Sequence, residues 1–81
     1  MMIYCQDRSR VTRTGSDIYI VKSETNYQVV NEDREKETVL GEYKTLDVAE
    51  ETLKTIFQYI RCKKPCYAMP EHTEGVNEWQ T

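Results

Sequence analysis

Apolar residues, most of them β-branched or aromatic, are concentrated in three short stretches in the first half of this chain, a pattern typical of β-strands, in which successive side chains point to opposite faces. These stretches are 17–22 (DIYIVK), 27–32 (YQVVNE) and 37–43 (ETVLGEY), and a shorter apolar run, MIYC, occupies 2–5. The charged residues 33–36 (DREK) suit a short hairpin loop. We therefore predict four strands, and we interpret the isolated Gly41 as a bulge or a close backbone approach.

The hydrophobic pattern changes to that of a helix after the fourth strand. Within residues 45–65, an apolar stripe is formed by Ala49, Leu53, Ile56, Phe57 and Ile60. These positions lie on one side of a helix of 3.6 residues per turn, so the segment is predicted to be an amphipathic helix. Thr45 is the predicted N-cap, and Pro65 is predicted to end the helix because proline has no backbone N–H.

Four strands followed by one helix predict an α+β fold, a four-stranded antiparallel β-meander with the C-terminal helix packed on one face. Residues 1–70 form the single predicted domain, and 71–81 the predicted flexible acidic tail. The other face of the sheet has no predicted element to cover it. It would carry a set drawn from Tyr19, Val21, Val30 and Leu40, or the alternate residues of the same strands. Because an uncovered apolar patch usually marks a contact with another chain, we predict a homodimer that forms through this face.

Length and composition limit the classes of function. A chain of 81 residues forms one small core, which usually needs the support of a disulfide, a metal or a partner subunit. The net charge of −3 comes from intermixed charges, so there is no broad positive field to attract nucleic acid. No segment resembles a signal peptide or a membrane span, so we expect a cytoplasmic protein without membrane contact. Three cysteines in that compartment fit a disulfide framework poorly.

Cys62, Cys66 and His72 lie close together in the sequence and raise the question of a metal site, to which Cys5 could add a ligand. Zinc sites usually contain two paired sets of ligands, whereas Cys5 and His72 are isolated, and Pro65 separates Cys62 from Cys66. A redox pair is also disfavoured, because these thiols lie at the C-terminal end of the predicted helix, where its dipole opposes a thiolate. We therefore predict no metal ligand, no cofactor and no catalytic residue.

Arg8, Arg10 and Arg13 form the one basic cluster of the sequence, in a polar segment where arginines could bind phosphates. The other interpretation is a solubilising loop whose charges are offset by Asp7 and Asp17, and the acidic total charge favours it. An accessory nucleic-acid-binding protein that uses these three arginines is therefore kept as the alternative function.

Three segments, QD at 6–7, LGEYKTLDVAEETLKTIF at 40–57 and YAMPEH at 67–72, resemble a family of small proteins of Gram-positive bacteria and their phages. That family has a strand ending in a Leu-Gly-x-Tyr motif, a Thr cap, an amphipathic helix and a C-terminal Met-Pro pair. The segment 9–17 departs from it, because the family has a more apolar, strand-like segment there. The resemblance implies a phage or prophage origin and no assigned activity.

The sequence thus predicts a non-enzymatic cytoplasmic protein of phage or prophage type. It is expected to act through protein–protein contacts with an unidentified partner and through self-association.

Overall fold

The computed structural model describes residues 1–71, which form one helix and six strands. In chain order these elements are β1 (Met2–Tyr4), β2 (Val11–Arg13), β3 (Asp17–Lys22), β4 (Tyr27–Asp33), β5 (Lys36–Tyr43), α1 (Leu46–Arg61) and β6 (Cys66–Ala68). All but the first residue of the predicted acidic tail, namely 72–81, lies outside the described residues.

The strands form two three-stranded sheets. The larger sheet, in the order β3-β4-β5, is the antiparallel meander predicted for these three stretches. In the smaller sheet, β1 is the central strand, antiparallel to β2 and parallel to β6. The α+β class is therefore confirmed. The single four-stranded meander is not, because the first strand belongs to a second sheet.

Strands β2 and β6, which the sequence pattern did not predict, are the two outer strands of the smaller sheet. Each is only three residues long, too short to show an alternating pattern. In each strand only the middle residue, Thr12 or Tyr67, is shielded from solvent. The ring of Tyr67 packs edge-on against Tyr59 of α1, with 4.7 Å between the ring centroids. The backbone pairing with β1, rather than apolar side chains, therefore defines these strands.

Helix α1 begins as predicted and ends differently. Thr45 is the N-cap, and its side-chain oxygen accepts a hydrogen bond from the Val48 N–H at 3.3 Å. After the C-cap Cys62, Lys63 adopts a left-handed conformation with φ 58°. A left-handed residue at this position reverses the chain. The turn at Lys63, and not Pro65, therefore ends the helix.

The buried side of α1 is narrower than predicted. Ala49 and Ile56 are fully buried, as expected, together with Thr52. Thr52 can be buried because its hydroxyl donates to a backbone carbonyl of the preceding turn at 2.9 Å. Phe57 and Ile60, which the pattern assigned to the core, are 50% and 41% exposed. The predicted stripe is therefore only partly correct.

Gly41 marks both a bulge and a close backbone approach. The pairing of β4 with β5 skips Leu40, which becomes the bulged residue and is buried in the core instead of lying on the outer face. A Cβ atom on Gly41 would lie 2.8 Å from the Tyr43 hydroxyl oxygen. Glycine thus leaves room for the Tyr43 side chain, whose hydroxyl donates to the Pro70 carbonyl at 2.8 Å.

Two side-chain carboxamides join the sheets. Asn31 of β4 is 1% exposed; its Oδ1 accepts from the Gly15 N–H at 2.8 Å, and its Nδ2 donates to the Arg13 carbonyl at 3.1 Å. Gln6, after β1, donates from Nε2 to the Glu42 carbonyl at 3.0 Å and accepts from the Glu42 N–H at 2.9 Å. Each carboxamide pairs with backbone groups as a neighbouring strand would.

We expect Asn31→Leu to lower the free energy of unfolding by about 2 to 4 kcal/mol. Leucine has a similar size but leaves the Gly15 N–H and the Arg13 carbonyl without their partner. Urea denaturation followed by circular dichroism measures the loss. The matched control is Gln28→Leu, which removes a half-buried amide that bonds only to the Glu42 side chain, at 3.0 Å. An equal loss in both variants would contradict a special role for Asn31.

The β4–β5 hairpin is closed by two charged residues in left-handed conformations, Arg34 with φ 54° and Glu35 with φ 68°. Such two-residue turns usually contain Asn-Gly, because a side chain strains a backbone of positive φ. No glycine within residues 1–71 has a positive φ. The predicted loop 33–36 is thus in the right place, with a conformation that its residues do not favour.

Replacing Arg34 and Glu35 by Asn and Gly should raise the free energy of unfolding by about 1 kcal/mol, because the strain at positive φ is relieved. Thermal and urea denaturation measure the gain. The double alanine variant removes the same two charges and keeps the strain, so we expect no gain from it. A similar gain with alanine would show that charge, not strain, limits this turn.

Candidate interaction surfaces

Within residues 1–71, eight large apolar side chains are at least 39% exposed, and they fall on three faces of the molecule. They are Met2, Tyr4 and Val11 on the smaller sheet, Val21 and Val39 on the larger sheet, and Leu46, Phe57 and Ile60 on α1. The core therefore leaves a substantial apolar surface uncovered.

The large-sheet face is the side of β3-β4-β5 that points away from the core residues Ile18, Ile20 and Val29. In register across the three strands, Tyr19, Val30 and Val39 form an apolar row on this face. The sequence thus placed Tyr19, Val21 and Val30 together on one face, as the register requires.

Carboxylates lie beside that apolar row. Asp17, Glu32 and Glu37 are aligned across the three strands. The Tyr19 hydroxyl lies 2.6 Å from Glu37 Oε2 and 3.2 Å from Glu32 Oε1. Its hydrogen bond to Glu37 is the main reason that the pKa of Tyr19 is raised. A second copy docked face to face with its strands in the same direction would bring carboxylates against carboxylates. In the opposite direction they would face the row that contains Glu42, and no basic residue lies in these rows, so this face is poorly suited to the predicted self-association.

The small-sheet face is the solvent side of β2-β1-β6. Across the strands, Tyr4 lies between Val11 and Ala68, and Met2 lies between Arg13 and Cys66. All six residues are exposed. This face is mostly apolar, with one charged residue.

The helix stripe is the exposed apolar side of α1, formed by Leu46, Leu53, Phe57 and Ile60. Leu46, Leu53 and Ile60 recur every seven residues, and Phe57 lies between the last two, which is the spacing of a coiled-coil seam. Leu53 is half-buried and the other three are exposed. A surface depression next to the stripe is lined by Asp47, Glu50, Glu51, Leu53, Lys54 and Phe57.

The amphipathic pattern predicted that Leu53, Phe57 and Ile60 all lie in the core. Leu53 does pack against the core, whereas Phe57 and Ile60 are exposed. The available signal was the pair Val48 and Tyr59. Both lie on the other side of Ala49 and Ile56 from Phe57, so they widen the apolar arc of the helix beyond the predicted stripe, and both pack against the core.

Arg8, Arg10 and Arg13 are all exposed, and each has different neighbours. Arg8 Nη1 donates to the Met69 carbonyl at 2.8 Å and to the Cys5 carbonyl at 3.2 Å, so its guanidinium holds protein backbone. Arg10 lines a depression beside β5, and Arg13 belongs to the small-sheet face. Arg8 is exposed, and one nitrogen of its guanidinium is bonded to the C-terminal segment.

The residues considered for metal binding are not assembled in the part of the chain that the structure describes. Cys5 is buried, Cys62 and Cys66 are exposed, all three are free thiols, and His72 lies outside the described residues. Within residues 1–71, no three His, Cys, Asp or Glu side chains are arranged to hold a metal ion. Burial raises the pKa of the Cys5 thiol, the opposite of what activates a cysteine nucleophile.

Comparison of the chain with protein-family models, curated proteins and solved structures gave no match. The resemblance to small phage proteins therefore stays a prediction. In the described residues, no helix has the length and apolar character needed to cross a membrane. The function must be inferred from the surfaces of the molecule.

At pH 8 we expect two thiols per chain, Cys62 and Cys66, to react rapidly with Ellman's reagent, and Cys5 to react only as the protein unfolds. Cys5 is 4% exposed, and its raised pKa lowers the fraction of thiolate at a given pH. The Cys62→Ser/Cys66→Ser variant should show no fast reaction, and adding urea should release one thiol. Rapid reaction of a thiol in that variant would contradict the placement of Cys5.

Proposed function

We propose that this protein acts by contacting other protein chains, its own copies included, and has no catalytic role. The observation that carries this proposal is the set of eight exposed large apolar side chains, grouped on three faces of a small domain. Single exposed apolar residues are ordinary, whereas contiguous apolar patches usually mark protein contacts.

Where the pKa of a cysteine or tyrosine is shifted in residues 1–71, the shift is away from the deprotonated form, in keeping with a non-enzymatic role. Burial is the main cause of the raised pKa values of Cys5, Tyr43 and Tyr67, and a hydrogen bond to Glu37 is the main cause for Tyr19. Each of these shifts favours the neutral form. A nucleophile or general base needs the opposite shift, toward the deprotonated form at neutral pH.

A protein partner is favoured over nucleic acid because Arg8, one of the three candidate arginines, is bonded to backbone carbonyls. The net charge of −3 also opposes binding to a phosphate backbone. The resemblance supports a phage or prophage origin, and the three free thiols suit a reducing cytoplasm. Origin and location remain part of this proposal.

Sedimentation equilibrium tests the self-association. The chain has a mass of 9.6 kDa, and we expect the average mass to rise toward twice that value as the concentration increases from about 1 to about 300 µM. A constant mass of one chain over this range would contradict self-association.

Fluorescence anisotropy with labelled single-stranded and duplex DNA and RNA tests the alternative. We expect no binding at low salt, where phosphate contacts are strongest. Binding that weakens with salt and is lost in the Arg8→Ala/Arg10→Ala/Arg13→Ala variant would favour a nucleic-acid-binding protein instead. An Arg8→Ala variant with unchanged binding would assign the contact to Arg10 and Arg13.

A further inference from the structure

The apolar arc of α1 is wider than the surface that the sheets cover. Six residues on one side of the helix are buried or half-buried against the core, and Leu53, at the edge of this set, also belongs to the helix stripe. The six are Val48, Ala49, Thr52, Leu53, Ile56 and Tyr59. The helix stripe follows directly beside them, and its Leu46, Phe57 and Ile60 are 41%, 50% and 41% exposed. The apolar surface of α1 thus continues from the core onto the outside of the molecule.

Charged residues border the stripe on the flank away from the core, and their signs separate along the helix. Asp47 and Glu50 occupy its N-terminal half, whereas Lys54 and Arg61 occupy its middle and C-terminal part. All four side chains are exposed. A surface with an apolar seam and a charge border of this kind complements a copy of itself that runs in the opposite direction.

We propose that the helix stripe binds the helix stripe of a second copy, with the two helices antiparallel around a two-fold axis near Leu53. This inference rests on the proposed self-association and names its surface. With the axis at Leu53, Leu46 lies opposite Ile60 of the second copy, and the two Leu53 side chains meet at the centre. Helix α1 is 16 residues, or about 24 Å, long, so the seam extends along most of it.

The charges select the antiparallel arrangement. With the two-fold axis at Leu53, Asp47 lies within two residues, about 3 Å along the helix, of the position opposite Arg61 of the second copy. Glu50 lies equally close to the position opposite Lys54, and the long side chains can cover these offsets. The symmetry forms each pair twice. In a parallel pair, the two charged flanks would lie on opposite sides of the seam, so these charges could not pair across it. The helix dipoles are also opposed only in the antiparallel arrangement.

The other two faces lack this complementarity. The rows of the large-sheet face contain Asp17, Glu32, Glu37 and Glu42 and no basic residue, so a second copy offers these carboxylates no opposite charge. The small-sheet face has Arg13 as its only charged member, so nothing on it specifies the partner or its direction.

Charge reversal tests the proposal. Asp47→Arg and Arg61→Asp each place like charges opposite each other at both symmetric positions, so each should weaken self-association at least about tenfold. The variant with both changes restores opposite charges and should regain most of the affinity. An equimolar mixture of the two single variants should also associate, because one chain then carries arginine at both positions and the other carries aspartate at both. Sedimentation equilibrium in low salt measures all four samples.

The double variant separates an interface effect from damage to the helix. A positive charge at position 47 and a negative charge at 61 both oppose the helix dipole, so the double variant should have the least stable helix. If loss of helix stability caused the weaker association, the double variant would associate least of all. Circular dichroism melting curves identify that case, and association that is weakest in the double variant would overturn the proposal.

Matched substitutions test the apolar seam. Phe57→Gln removes an exposed ring and keeps helix propensity, so it should weaken association at least about tenfold. Val39→Thr removes an exposed apolar group from the large-sheet face and keeps strand propensity, so it should have no effect. If the unmodified protein associates and the substitutions in α1 do not weaken this association, the helix stripe is not the interface, while the proposed self-association stands. If the unmodified protein stays a monomer, both proposals fail.

Discussion

The paired hydrogen bonds of Asn31 and Gln6 hold the two sheets against each other, and the remaining architecture depends on them. Backbone N–H and carbonyl groups where two sheets meet need partners, since an unpaired buried group costs free energy. Asn31 supplies a partner to each of Arg13 and Gly15, and Gln6 supplies two to Glu42. With these bonds in place, the smaller sheet can lie next to the larger one, and Ile3 is fully buried.

A second set of bonds fixes the segment after β6. The Met69 N–H donates to the Tyr4 carbonyl at 3.0 Å, the Met69 carbonyl accepts from Arg8, and the Tyr43 hydroxyl reaches Pro70. Met69 is fully buried as a result. Arg8 therefore stabilises the fold, which explains why an arginine lies in a segment that otherwise suggested phosphate binding.

The predictable parts of this fold are those with a periodic pattern. Strands β3 to β5 are six to eight residues long, long enough for their side chains to be assigned to the two faces of a sheet, and Thr45 caps the helix. These elements could therefore be placed correctly from the sequence. The sequence did not predict β2 and β6, because three residues cannot show a period, and it did not show how the first strand is paired.

The exposed surface of α1 was misassigned because periodicity shows how wide an apolar arc is, but not how much of it a neighbouring element covers. The conformation of the turns could not be predicted either. All residues of positive φ in the described chain are charged, whereas Gly15 and Gly41 occupy positions where a Cβ atom would clash with neighbouring atoms.

The pairing of β1 with β6 sets the order in which the two sheets can form while the chain is being synthesised. Met2 lies opposite Cys66, so the first strand emerges from the ribosome long before its parallel neighbour exists. The larger sheet and α1 occupy one continuous stretch, and their more local contacts form with less loop closure. A nascent chain that stops before Cys66 would keep one edge of β1 unpaired and exposed to other strands. The smaller sheet is therefore completed only in a chain synthesised at least as far as Ala68.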